Sequence, residues 1–421
     1  MEPRSLKFYY IIFFCLSSIL FFAPAFIPLS LLYYTYYANF LITLLIVILN
    51  YKNSNTNVFS SPFILLLIAI LISGLSATYA WGQSLIDSYQ ALTLYLSYIL
   101  FFLLIIWKTW VRDIEKIILI LGIIYIVVYT ITFLLYPVLI FGDIEKYDAS
   151  RGFQRIMLGG VGFLFLFSFY SLSQYLKKRQ LLWLILIIIS VICIIMLLTR
   201  TLLMVSFTLM TFFILRKSSF IKKILTILLI VSSIYIISQM NFFQLLVKQT
   251  IEESENKKDN IRVLAATYYL NDFSPNIFSK IFGNGQAYKE SRYDINREHL
   301  EKELGYYQSD LGYIGLYSKF GVLAILAYLI LIYNTYKVAI PDEYLYCKYY
   351  LYFIFIISII IDAPFNPSYI TSIVFATYVL NSKNLIRINN NIRVSKNALS
   401  YNKKPSFSMT QNINIFQNKR K

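Results

Sequence analysis

Apolar stretches of helix length fill this chain, and one long polar interval interrupts them. A segment in lipid must satisfy its own backbone hydrogen bonds, so such stretches are read as spanning helices. At roughly 17 to 25 apolar residues per crossing, the pattern predicts about twelve of them. They fall near 8–26, 31–50, 62–82, 88–107, 117–141, 157–176, 181–199, 201–215, 221–239, 313–336, 346–362 and 366–381. The fold class is therefore an all-α polytopic membrane protein. Its transmembrane domain covers 1–381 and includes a large loop at about 240–310, between spans 9 and 10. Residues 382–421 are rich in Asn, Lys and Ser and read as a disordered tail.

Composition agrees. The 421 residues are 58% hydrophobic and 14% charged, too little polar material to cover a soluble core of this size. The net charge of +17 does not indicate nucleic acid, because no basic stripe lies on a soluble fold. Its distribution matches the lysine and arginine excess of cytoplasmic loops. Alternate connections hold Lys52; Lys108, Arg112 and Lys116; Lys177, Lys178 and Arg179; Arg216, Lys217, Lys222 and Lys223; then Lys337 and Lys348. The connections near 27–30, 83–87 and 363–367 carry no lysine or arginine. Both termini are thus expected in the cytoplasm and the large loop outside it. Arg4 and Lys7 before an apolar run ending at Ala23-Pro24-Ala25 imitate a signal peptide, but the next apolar run follows at once, which favours an uncleaved first span. Cys15, Cys193 and Cys347 have neither metal-site nor disulfide-framework spacing and read as small buried apolar residues.

With that topology, arginines on the outer side carry the candidate chemistry. Arg151 and Arg155 precede the sixth span, Arg200 lies between Thr199 and Thr201 at a helix hairpin, and Arg262 lies in the large loop. A guanidinium binds phosphate or carboxylate through two parallel hydrogen bonds and keeps its charge. A headgroup contact or a surface ion pair is the plain alternative for each. The loop carries nine basic and eleven acidic residues, so it is mixed rather than polycationic. Residues 261–270 read as a short amphipathic helix on the membrane face. Phe282-Gly283-Asn284-Gly285 reads as a turn and lacks the strand–helix setting of a dinucleotide site. Asp310 is either a general base toward a sugar hydroxyl or a helix N-cap. His299, the single histidine, sits in a charged stretch, and Asp362 reads as a residue at the outer boundary of the eleventh span. No metal-ligand spacing and no nucleophile triad are present.

Several of these segments, taken in order, resemble the Wzy polysaccharide polymerases and the related O-antigen ligases. They are Ser150-Arg151-Gly152 leading to Gly159-Gly160; Leu198-Thr199-Arg200; Arg262; Ile281-Phe282-Gly283-Asn284-Gly285; Ser309-Asp310-Leu311-Gly312-Tyr313; and Phe320-Gly321-Val322-Leu323-Ala324. The resemblance covers mainly 140–336. It implies a polymerase of undecaprenyl-diphosphate-linked repeat units at the outer face of the bacterial cytoplasmic membrane, needing no cofactor and no metal. It also implies that Arg200 and Arg262 clamp the donor diphosphate. Arg151, Arg155, Gly283 and Gly285 line the substrate site, and Asp310 orients or deprotonates the acceptor hydroxyl. The implied partners are the lipid-linked glycan, the bilayer, a chain-length regulator and a flippase. The ligases carry a histidine about where this chain has Asp310, a departure that favours the polymerase. The rival readings are a ligase and a lipid-linked oligosaccharide flippase; a flippase predicts related halves, short loops and charges within central spans.

Overall fold

The computed structural model describes residues 3–50, 57–136, 138, 140–142, 156, 158–197, 199–216 and 258–401, with side chains for all of these except 3, 258–260 and 385–401. Among the described residues the regular structure is helical. The helices are α1 (Pro3–Ser18), α2 (Leu29–Leu49), α3 (Ser60–Trp81), α4 (Leu85–Ile106, with a 3-10 segment at Thr93–Ile99), α5 (Val111–Leu134), α6 (Val161–Lys178), α7 (Leu181–Met196) and α8 (Arg200–Leu215). The polar interval contributes α9 (Lys258–Asn271), α10 (Ile277–Phe282) and α11 (Arg292–Lys302). Then follow α12 (Tyr313–Lys337), α13 (Leu345–Ile357) and α14 (Pro367–Tyr401).

Helices occupy every predicted spanning stretch except the ninth, near 221–239, which lies outside the described residues. Five of them (α2, α3, α4, α5 and α12) are long and apolar enough to cross a membrane by length and composition. α7 and α8 are apolar but have only 16 residues each. At 1.5 Å per residue that is about 24 Å, short of a hydrocarbon layer of about 30 Å. The last helix continues beyond the predicted end at 381 to Tyr401, into the segment that reads as an irregular tail.

Side-chain size explains the packing. α6 lies at the centre, with every residue from Gly162 to Gln174 buried, as expected of a helix apolar on all sides. It packs on α5, α7, α13 and α14. α3 and α12 form another extensive contact, and both carry small buried residues (Ala69, Ser73 and Ala77; Ala324 and Ala327), which allow close approach of backbones.

The bundle has two chemically different ends. At one, Arg4 pairs with Asp113 (3.1 Å), Lys177 with Glu343 (2.8 Å) and Arg216 with Asp342 (3.3 Å). Lys383 lies over the Tyr344 ring, and the Tyr378 hydroxyl donates to the Thr109 carbonyl. At the other end Pro24 bridges to Phe141, and the Tyr129 hydroxyl donates to the Met196 carbonyl. The Asp362 amide there donates to the Ser309 carbonyl. Among the described residues, Arg4, Lys177, Arg216 and Lys383 thus gather at one end, and residues 258–311 fold over the other.

The described part of the polar interval, from 258 on, is a folded cap. Ala265, Tyr269, Phe273, Ala287, Tyr293, Leu300 and Leu311 form a small apolar core of their own. Trp81, the last residue of α3, joins it by stacking on Tyr293, with ring centroids 4.7 Å apart. The stretch read at 261–270 is helical, as α9, and buries Ala265 and Tyr269 in that core.

Candidate functional site at the junction of cap and bundle

α12 is not continuous. Gly321 has φ +73° and ψ −170°, which breaks the helix after Phe320 and which a residue with a Cβ adopts only under strain. In an unbroken helix the carbonyls of Ser318 and Lys319 pair with amides four residues on. Here they accept from the cap instead. The Asn284 amide and side-chain Nδ2 donate to the Ser318 carbonyl (2.9 and 3.0 Å), and the Gly285 amide donates to Lys319 (2.8 Å). Asn284 is fully buried, and its Oδ1 also accepts from Trp81 Nε1 at 3.0 Å. Gly283 and Gly285 allow this close approach of the cap to α3 and α12. A Cβ on Gly283 would collide with the Lys319 carbonyl, and one on Gly285 would press on the Ser73 carbonyl.

Directly at the break, Lys319 Nζ donates to Asp362 Oδ2 at 3.0 Å, and both side chains are buried. A charge at this depth in an apolar helix is tolerated only when paired, and it marks function more often than not. Asp362, at the end of the eleventh predicted span, is in addition one half of a buried ion pair. Lys319 went unremarked in the sequence, although a lysine in Ser318-Lys319-Phe320-Gly321 is a visible signal: an ionisable residue inside an apolar run.

Tyr95 of α4 and Arg297 and Glu301 of the cap act electrostatically on this pair, and further polar contacts tie the cap to α4 and to the turn before it. Tyr95 donates to Gln286 Oε1 at 3.1 Å. Gln83 Oε1 accepts from the Tyr288 amide (2.9 Å) and the Ser291 hydroxyl (3.1 Å), while its Nε2 donates to the Gln286 carbonyl (3.2 Å). On α11, Arg297 bonds Asp294 at 2.6 Å and lies 3.6 Å from Glu301. Burial pushes the Glu301 carboxyl up, and the charges of Arg297 and Lys319 only partly offset this. Burial also works against the Arg297 charge, but Glu301 and Asp294 outweigh it and raise that group.

The residues singled out in the sequence are distributed as follows. Arg262 is exposed on α9, which packs on α12 and on the 3-10 turn Gln308–Leu311 that carries Asp310. Asp310 is exposed and is not the cap of α12, whose N-cap is Gly312. Arg200 opens α8 at the capped end of the bundle, its Nε and one Nη shielded from solvent, on a helix that packs on α6, α7 and α13. Arg151 and Arg155 lie outside the described residues. His299 is exposed, with Nδ1 3.0 Å from Glu303. Cys15, Cys193 and Cys347 are buried and free. Among the described residues no three His, Cys, Asp or Glu side chains gather as a metal site. The arrangement defines an α-helical protein with apolar membrane-length helices, a folded polar cap and a buried ion pair at a helix break. No protein-family model matches the chain, and no curated protein matches it in sequence.

Proposed function

We propose that this chain polymerises undecaprenyl-diphosphate-linked oligosaccharide repeat units at the outer face of a bacterial cytoplasmic membrane. In this reading the chain crosses the membrane about twelve times with both termini in the cytoplasm. The observation that carries it is the polarity of the bundle. Among the described residues the basic side chains Lys177 and Arg216 gather at one end, and a folded cap of mixed charge covers the other, where a diphosphate and a sugar acceptor would meet. The ordered motifs that resemble those of Wzy-type polymerases suggest the reaction class.

The growing glycan is transferred from its lipid diphosphate to a hydroxyl of a new lipid-linked repeat. The bond from the anomeric carbon to the diphosphate oxygen breaks, a glycosidic bond forms, and the lipid diphosphate leaves with the electron pair. The acceptor hydroxyl loses its proton. Arg200 and Arg262 hold the diphosphate and offset its growing charge, Arg151 and Arg155 assist, and Asp310 orients or deprotonates the acceptor. Replacing Arg200 or Arg262 by Ala makes single lipid-linked repeats accumulate while long chains vanish. Normal chain lengths in both variants overturn the assignment.

One observation favours a second reading. A broken helix with a buried Lys319–Asp362 pair suits a flippase, in which discontinuous helices and paired charges line a transport path. The leaflet separates the two. Repeats that accumulate in an inactive variant are oxidised by impermeant periodate if polymerisation failed, and are protected if transport failed.

A further inference from the structure

The large apolar side chains exposed on the bundle form stripes. On α3 they are Ile68, Leu71, Leu75 and Tyr79; on α12 they are Val322, Leu326, Leu329, Tyr333 and Tyr336. Both sets repeat at three and four residues, the spacing of one helix face. Both helices are long and apolar enough to span a membrane, so these faces meet lipid.

α10 belongs to the polar interval, yet it sits against both stripe-bearing helices. Its Phe278 ring meets Tyr79 with centroids 6.1 Å apart. Ile277 and Ile281, one turn apart, point outward and are 78% and 44% exposed. Ser279 points inward, is buried, and closes a reciprocal cap with Asn276. Lys280 is exposed, and its long stem lets the ammonium rise from an apolar surface to the headgroups.

Depth is set by the segment that follows. Gly285 rests on the Ser73 carbonyl, eight residues before Trp81 at the end of α3. At 1.5 Å per residue this is about 12 Å inside the helix end. Irregular backbone at such depth survives only where protein groups take its hydrogen bonds, as the Ser318 and Lys319 carbonyls do here.

We propose that α10 is embedded in the bilayer, with Ile277 and Ile281 against acyl chains, continuing the lipid-facing stripes of α3 and α12. The polar interval is then pinned to the membrane by a re-entrant element. The inference is independent of the reaction proposed above.

The test uses the full-length protein in phosphatidylcholine vesicles, with single cysteines at Ile277→Cys, Ile281→Cys and, as a water-facing control, Lys302→Cys. Each carries an environment-sensitive fluorophore. The native cysteines are buried, and the unsubstituted protein sets the background. The substituted side chains are outward-facing, and a monodisperse elution profile confirms folding before reconstitution. Lipids brominated on their acyl chains quench the labels at 277 and 281 several-fold more than the label at 302, and emission at 277 and 281 is blue-shifted. Equal quenching at all three sites with water-like emission overturns the proposal. So does shielding without bromolipid quenching, accompanied in the unlabelled Ile277→Cys protein by 277–277 disulfides that increase with protein density, which assigns the face to a second copy of the chain.

Discussion

Lys319 and Asp362 show what a single pair of residues does in this fold. Taking two charges out of water is costly, and the cost is recovered only while both are present. Lys319→Met or Asp362→Asn therefore destabilises the protein by about 3–5 kcal/mol, whereas Lys319→Met combined with Asp362→Leu recovers most of the loss. Thermal unfolding in detergent checks this; a double variant as unstable as the singles refutes it. Glu301 behaves differently. Burial lifts its folded-state value above that of the unfolded chain, so the ionised carboxylate costs stability at neutral pH. The cost is relieved as pH falls through the folded value toward the ordinary carboxylate value of about 4. Glu301→Gln thus stabilises the cap at pH 7 to 8, and its advantage closes toward pH 4, as read from protease resistance of 258–302. Lys319 was legible from sequence as an ionisable residue in an apolar run. Its partner was not, because Asp362 lies 43 positions away, and pairing over that separation depends on tertiary packing.

At the scale of elements, the apolar helices were legible because length and apolarity alone announce them, and five of those described are long enough to span a membrane. The break at Gly321 was not, since glycine is frequent in membrane helices and Phe320-Gly321-Val322 reads as an uninterrupted apolar run. The cap core was hidden for another reason. Its aromatic residues are among 37 tyrosines and 34 phenylalanines, so Tyr269, Phe273 and Tyr293 do not stand out. Gly283-Asn284-Gly285 was read as a turn, and only the structure reveals that it supplies the hydrogen bonds that α12 lacks. Asn284→Ala leaves the Trp81 indole N–H unpaired in the interior and costs about 1–3 kcal/mol. Gly321→Ala forces a Cβ into the Ile281 carbonyl at a positive φ and costs at least about 1–3 kcal/mol. In both variants proteolysis within 258–302 is faster than in the native protein while the bundle helices remain. Unchanged cleavage refutes the view that the cap and the helix break support each other.

For the whole molecule, the decisive property is the difference between its two ends. The short connections alone carried that information, because lysine and arginine are retained on the cytoplasmic side during insertion while acidic residues count for little. In three dimensions the described ones converge. Arg4, Arg216 and Lys177 each find a carboxylate at the same end, and Lys383 reaches Tyr344 there. The cap covers the opposite end, with Arg292 exposed on α11 just as Arg179 is exposed between α6 and α7. Single cysteines at these two positions therefore report orientation directly. A membrane-impermeant maleimide applied to intact cells labels Arg292→Cys and spares Arg179→Cys; permeabilisation makes the second reactive. The reverse pattern places the cap in the cytoplasm, where an outer-face glycan polymerase has no substrate, and removes the basis of the proposed function. It leaves the embedding of α10 untouched, because Ile277 and Ile281 meet acyl chains in whichever leaflet lies nearest the cap.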